Sequence, residues 1–420
     1  MENGIEREIN MSLHDEALNY HRENNGKLGM IAKTSLKDGY DLSLAYTPGV
    51  AEPCMEIHRE NDLSFEYTCR GNMVAVITDG TRVLGLGDIG PEAAIPVMEG
   101  KAVLYKTFGD VDAIPISIAT KDADEFIKTV RMLQPNFAGI NLEDISSPKC
   151  YDIEDALKEQ MDIPVFHDDQ HGTAIAAVAA TIGALRLVKK ELPEVKIVVN
   201  GAGAAGTAIV QLLLNAGVGN VVMMNSKGAM YEGMEMSRVN RVQAALLPRT
   251  NLKKAQGSIA DIAKGADVLI GVSKSGAFTR EIVQSMNTDS IVFSLCNPDP
   301  EISYNDAKAA GVKVAGTGRS DSPNQVNNVC VFPGLFRGAI DVRARQINEE
   351  MKLAAVYAIS ELIAEEELRE DYVVPEVFDK RVAPAVAAAV ARAAIKTGVA
   401  RVIVDPEEIR IKTAARIKIS

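Results

Sequence analysis

The amino-acid sequence predicts an α/β protein in two units: an N-terminal α/β unit over residues 1–160, then a doubly wound parallel sheet over 161–420 with a helical C-terminus. Three observations lead there. Short apolar runs alternate with stretches of helical period along most of the chain, the habit of sheets flanked by helices. After Leu192-Pro193 the alternation becomes a regular strand–helix repeat. Beyond Pro333 the strand runs stop and helical patterns dominate. A chain of 420 residues also exceeds one ordinary core, so two or three domains are expected.

In chain order, residues 73–77, 113–117, 137–142 and 163–166 are apolar runs bounded by turn or charged residues, and they read as buried strands. Residues 123–133 carry a helical pattern between them, and an Ala-rich helix over about 172–190 leads to the Leu192-Pro193 boundary. A strand over 196–200 runs into Gly201-Ala202-Gly203-Ala204-Ala205-Gly206 and a helix to about Ala216. Strands at 221–224, 267–270, 290–293 and 312–315 follow, separated by helices such as 258–264 and 279–286. An amphipathic stretch over 342–365 and an Ala-rich one over 384–397 supply the C-terminal helices. The basic stretch 410–418 reads as a solvated end.

Composition narrows the function classes. A chain 47% hydrophobic and 24% charged, with mean hydropathy near zero, is a soluble globular protein. Its net charge is −12 and no block of Lys and Arg stands out, so no nucleic-acid partner is expected. The N-terminus, Met1-Glu-Asn-Gly-Ile-Glu-Arg-Glu, lacks the apolar core of a secretory signal. The longest uncharged apolar run, 172–185, falls short of a membrane span and suits a buried helix, so no membrane partner is expected either. Five cysteines, scattered and without a CxxC pair, disfavour a disulfide framework and a zinc site. The expectation is a reduced, cytoplasmic protein.

Two acidic doublets carry the most information. Glu143-Asp144 and Asp168-Asp169 each follow a strand run, so adjacent strands would bring four carboxylates into one crevice. Like charges crowded there repel unless protons or a cation neutralise them. Hard oxygen ligands without thiolate point to Mg2+ or Mn2+. Taken singly, either doublet also reads as a solvated strand end.

The glycine pattern Gly201, Gly203, Gly206 gains weight from its place directly after a strand and at the start of a helix. The first glycine permits a tight turn, the second lets backbone approach a pyrophosphate, and the third allows close helix packing. With Ala204 and Ala205 this is a dinucleotide loop whose helix N-terminus favours phosphate. The following strand ends at Asn225-Ser226-Lys227, where an acidic residue would bind the ribose hydroxyls of NAD. A neutral Asn225 and a nearby Lys227 tilt the reading slightly toward NADP, although Lys227 also reads as an ordinary turn lysine.

His167-Asp-Asp-Gln-His171 has the i, i+4 histidines of a zinc protease, but it lacks the glutamate base and spans a strand end, so that reading fails. Lys101 lies just inside an apolar stretch. It reads either as a snorkelling lysine or as a buried base whose pKa burial and a nearby cation depress. Tyr46 precedes Pro48-Gly49, a turn that would fix its direction, or it simply packs.

These segments together resemble malic enzymes of the compact prokaryotic type. The matching stretches are Tyr46-Thr-Pro-Gly-Val, Thr78-Asp-Gly-Thr-Arg-Val-Leu-Gly-Leu-Gly-Asp88, Glu99-Gly-Lys101, Asn141-Leu-Glu-Asp144 and Phe166-His-Asp-Asp-Gln-His-Gly-Thr173. The glycine loop, Cys296-Asn-Pro298, Thr317-Gly-Arg-Ser-Asp321, Asn327-Asn328 and Phe332-Pro-Gly334 continue it over nearly the whole chain. Larger relatives add a C-terminal domain, for which this chain is expected to have no room. The resemblance implies oxidative decarboxylation of (S)-malate to pyruvate and CO2 with reduction of NAD(P). It implies a divalent ion on Glu143, Asp144 and Asp169, and Lys101 as the base for the C2 hydroxyl. It gives Tyr46 the protonation of C3 in enolpyruvate and Asp168 the orientation of Lys101. Arg82, Asn297 and Asn328 match positions that bind the substrate carboxylates or the nicotinamide end, and a homo-oligomer, dimer or tetramer, is expected. Two alternatives stay open: redox-neutral decarboxylation of malate to lactate with NAD retained, and a catalytically silent nucleotide-sensing module.

Overall fold

The computed structural model describes residues 12–417. Its first sheet is four parallel strands, β1 (Met73–Thr78), β2 (Asp112–Ser117), β3 (Gly139–Leu142) and β4 (Val165–His167), in the order β2-β1-β3-β4. Parallel neighbours need crossover connections, and the helices Pro91–Gly109, Ala123–Met132 and Lys149–Gln160 supply them. All four residues of β3 and all three of β4 are buried, which explains their continuous apolar sequence. Because β4 pairs with β3, the first sheet continues past residue 160 to His167. The strand order reverses between β1 and β3, so a crevice opens at the carboxyl ends of those strands.

The second sheet holds β5 (Lys196–Asn200), β6 (Asn220–Asn225), β7 (Gly228–Ala229), β8 (Val268–Gly271), β9 (Ile291–Ser294) and β10 (Val314–Thr317). Their order is β10-β9-β8-β5-β6-β7, parallel except for β7. This is the doubly wound sheet expected, with its switch point between β5 and β8. The two-residue β7 was not expected: Gly228, at φ +119, turns the chain straight back along β6.

The helix Asp168–Val188 joins the two sheets and packs against the helices Ala204–Asn215 and Glu349–Ser360. It starts four residues before the expected position because β4 runs into it without a loop. Among the described residues it is the one helix long and apolar enough to cross a membrane, yet most of it is buried inside the protein.

Two C-terminal expectations need correction. The amphipathic stretch 342–365 is not one helix. A helix ends at Asp341, Arg343 takes a left-handed backbone (φ 46), and Asn348 caps a new helix from Glu349 to Ser360. The basic stretch at 410–418 lies mostly in the helix Pro406–Arg416, which buries Ile409 and Thr413 and packs on Val382–Lys396. Its charges stay outside, where Arg410 pairs with Glu407 and Lys412 with Glu408. Lys418 lies outside the described residues.

The helices Leu13–Asn24, Gly39–Ala45 and Ala51–Arg59 contrast with all this. None of them contains a buried residue. Lys27 ties this arm to the body, its backbone N–H donating to Glu99 and its Nζ to the Pro96 carbonyl.

Candidate active site

The carboxyl ends of β3 and β4 bring the two acidic doublets together. Leu142 pairs with His167, so Glu143-Asp144 and Asp168-Asp169 leave the sheet side by side. Glu143, Asp144 and Asp169 each offer an oxygen atom, all within 4.8 Å of one another. Two unit charges at that distance repel by about 3 kcal/mol at an effective dielectric of about 20. Burial, and then the charge of Asp169, push the Asp144 carboxyl up to about 7. Burial raises Glu143 well above the carboxylate range, Lys101 opposes it, and the neighbouring aspartates add to the rise. Asp169 goes the other way. Burial works against its charge, but the His167 ring, Lys101 and the Asp144 N–H hold it low. Asp144 sits in the left-handed region (φ 55), and its buried Oδ2 has no hydrogen-bond partner among the described residues.

Lys101, 7% exposed, extends from the helix Pro91–Gly109 into this cluster. Its Nζ donates to Asp168 Oδ2 at 2.6 Å, lies 3.0 Å from Glu143 Oε1 and stands 4.3 Å over the Phe332 ring. Asn328 donates to the same Asp168 oxygen, and the other, Oδ1, is buried without a partner. Gly172 makes this fold of Asp168 possible, since a Cβ there would meet Asp168 Oδ1 at 1.9 Å. The expected depression of the Lys101 pKa is not found. Burial alone would lower it, but Asp168 and Glu143 outweigh burial and hold the ammonium above its ordinary value. Proximity to anions wins over desolvation here.

The glycine loop lies at the switch point of the second sheet. Gly201 has φ +125, and a Cβ on Gly206 would stand 1.7 Å from the Gly201 carbonyl, so neither position admits a side chain. Gly203 faces open space, and Ala204 and Ala205 begin the helix behind it. That is the division of labour expected of a pyrophosphate loop. At the end of β6, Asn225 Oδ1 accepts the Lys227 N–H at 2.9 Å. Ser226 and Lys227 are exposed, and Lys227 makes no ion pair among the described residues.

Arg82 and Asn297 come from facing loops. Arg82 is exposed in the loop after β1, its N–H donating to the Asp144 carbonyl, and its charge reaches Cys296. A Cβ on Gly85 of the same loop would meet the Asn297 carbonyl at 3.0 Å. Asn297 itself is exposed ahead of a cis Pro298. Tyr46 is not brought to the cluster. It is 68% exposed at the end of the helix Gly39–Ala45, on the arm without buried residues.

Sequence reading missed the groups that brace the carboxylates. Tyr105 donates to Asn141, and Asn141 Nδ2 donates to Glu143 Oε2 at 2.8 Å. His167 Nε2 lies 3.1 Å from Asp169 Oδ2, close enough for the ring to help keep that carboxylate charged. Both supports are helix or strand residues with no motif of their own; the i, i+4 histidines were the one visible signal.

Malic enzyme models match this chain in two blocks, the N-terminal domain over residues 25–158 and the NAD binding domain over 170–395. The chain is 58% identical over 403 residues to the bifunctional malic/malolactic enzyme of Bacillus subtilis, covering 96% of this chain and 98% of that one. It is 50% identical to the NAD-dependent malic enzyme of Geobacillus stearothermophilus over 90% of this chain and 78% of that one. A crystal structure of malic enzyme from Pyrococcus horikoshii superposes with a TM-score of 0.93 at 45% identity, covering 97% and 96% of the two chains. With both domain models and these relatives spanning nearly its whole length, the chain belongs to the malic enzyme family of NAD- or NADP-dependent, decarboxylating oxidoreductases.

Proposed function

We propose that this protein oxidatively decarboxylates (S)-malate to pyruvate and CO2 with reduction of NAD(P)+, in a cation-dependent reaction. The observation that carries the reading is Lys101, buried and held by Asp168 beside three mutually repelling carboxylates. The unpartnered Asp144 Oδ2 and the hard-oxygen donor set fit Mg2+ or Mn2+ on Glu143, Asp144 and Asp169. A divalent cation there would supply Lewis-acid polarisation of the substrate oxygens and would offset the Glu143 charge that keeps Lys101 protonated. NAD(P), held by the glycine loop, Ala204 and Ala205, would accept the hydride from C2.

The chain's own groups do the rest. Lys101 takes the C2 hydroxyl proton, and Asp168 orients Lys101 through their hydrogen bond. Asn328, bonded to Asp168, and Arg82 and Asn297 on the facing loops bind the substrate carboxylates and the nicotinamide end. Tyr46 returns a proton to C3 of enolpyruvate. Its exposure, on an arm rich in exposed apolar side chains, supports a homodimer in which the arm is covered by a second chain and Tyr46 serves the partner's site. For the cofactor, the neutral Asn225 with Ser226 and Lys227 favours NADP. The five unpaired cysteines support a cytoplasmic setting.

The test is absorbance at 340 nm with (S)-malate, Mn2+ and either NAD or NADP. Growth that vanishes with EDTA is expected, faster with NADP. A second reading, malate to lactate without net reduction of cofactor, is favoured by the name of the Bacillus subtilis relative. Lactate formed under a flat 340 nm trace would select it.

A further inference from the structure

Glu154, on the helix Lys149–Gln160, is 3% exposed and touches none of the residues assigned to the cation, the substrate or the cofactor. Its carboxylate gathers three members of the segment 167–171. It accepts the His167 backbone N–H at 3.3 Å, Gln170 Nε2 at 2.9 Å and His171 Nε2 at 2.8 Å. Lys158, at 2.6 Å, balances its charge. Beyond His171, Lys352 Nζ approaches His171 Nδ1 at 3.0 Å and donates to Glu349, at the edge of a cavity of about 80 Å³.

The direction of each hydrogen bond follows from what each group can do. Glu154 only accepts, so it fixes the Gln170 amide with Nε2 inward, and the second N–H of that amide meets His167 Nδ1 at 2.9 Å. Nδ1 must then be bare, which leaves the ring proton on Nε2, facing Asp169 Oδ2 at 3.1 Å. Asp169 Oδ2 also accepts the Asp144 N–H at 2.7 Å, and Oδ1 has no partner among the described residues. Asp169 is the most exposed of the three carboxylates and is repelled by the other two, so an unbraced side chain would swing toward solvent.

We infer that Glu154 is a positioning residue: through Gln170 and His167 it holds the Asp169 carboxylate in place for the cation. The inference rests on the reading of Asp169 as a cation ligand. Partners one shell beyond a ligand typically change affinity by about 10- to 100-fold when lost.

The experiment titrates the full-length, cofactor-free protein with Mn2+ alone and follows free Mn2+ by electron paramagnetic resonance. Thermal melting and NADP binding are measured on the same samples. Glu154→Gln and Gln170→Met, which stand behind the His167 contact, each weaken Mn2+ binding by about 5-fold or more while NADP binding holds. Lys352→Met, which damages the same helix packing but leaves the Gln170–His167 contact, lowers the melting temperature and keeps Mn2+ affinity within about 2-fold of the parent. Should Glu154→Gln fail to fold, Gln170→Met decides alone. Unchanged Mn2+ affinity in Gln170→Met, or an equal loss in Lys352→Met, overturns the inference. Asp169→Ala separates the two levels: if it binds Mn2+ like the parent, the ligand reading itself fails and the inference goes with it.

Discussion

Lys101, Glu143, Asp144 and Asp168 are each 7% exposed or less, whereas Met30, Ile31, Tyr40 and Tyr46 in the N-terminal arm are each 68% exposed or more. Both regions hold residues that the family resemblance marks for catalysis, yet one is buried and the other lies open to solvent. In the buried centre Lys101 answers Asp168 and Glu143, because an unpaired charge there costs several kcal/mol. About half of the exposed large apolar side chains among the described residues lie within 12–59, a concentration beyond ordinary surface scatter. The difference teaches that charged groups are assembled by strand ends inside one chain, while Tyr46, proposed as the proton donor, stands on an open surface.

The largest effect should come from the buried side of the comparison. Lys101→Met keeps the stem over Phe332 and removes the base, and it should lower kcat by about 10²- to 10⁴-fold with Mn2+ and NADP binding retained. Steady-state rates and equilibrium dialysis check both halves. A variant with normal turnover would remove Lys101 from the mechanism.

Tyr46→Phe should lower kcat by a comparable factor, and here the two regions can be set against each other. Co-refolding Tyr46→Phe with Lys101→Met creates mixed dimers, each with one intact site if Tyr46 acts across the interface. Statistical pairing then predicts recovery of about a quarter of parental activity. No recovery on mixing would place both residues in one chain and leave the arm's exposure to another explanation.

The buried centre was legible in the sequence and the arm was not, for physical reasons. Strand ends announce themselves, because continuous apolar runs must stop where the sheet stops, and both acidic doublets stand at such stops. The glycine loop was legible for the same local reason. The sign of the Lys101 shift was not, because it depends on two carboxylates that arrive from strands 42 and 67 residues further on. Glu154 was invisible, since a glutamate within a helix gives no hint of burial. The arm has ordinary helix caps, Ser12 and Asp38, and an amphipathic sequence; what its apolar face meets is not encoded at short range.

Cation removal has a smaller effect. A ligand at 100 times its dissociation constant stabilises the folded state by about 2.7 kcal/mol. Mn2+ should therefore raise the melting temperature by roughly 2–4 °C in the parent and by nothing measurable in Asp169→Ala. An equal rise in both proteins would show that the stabilising cation binds elsewhere.

The smallest effect tests the brace behind the centre. Burial lowers the His171 pKa from 6.5 to about 4, against the pull of Glu154 and with Lys352 adding to the fall. The unfolded chain therefore binds a proton near pH 6.5 that the folded chain refuses until about pH 4. Stability from this group is fully present above pH 6.5 and is lost as the pH falls toward 4, roughly 2 kcal/mol of it by pH 5. Other groups titrate over the same range, so a single curve cannot isolate the term. The difference between the parent and His171→Gln can, because glutamine does not titrate and can still donate to Glu154. Urea midpoints at pH 7.5 and pH 5 should converge for the two proteins as the pH drops. A gap that stays constant would mean that the His171 pKa is the same in the folded and unfolded chains, and one that shifts the other way would mean that His171 is already protonated in the folded state.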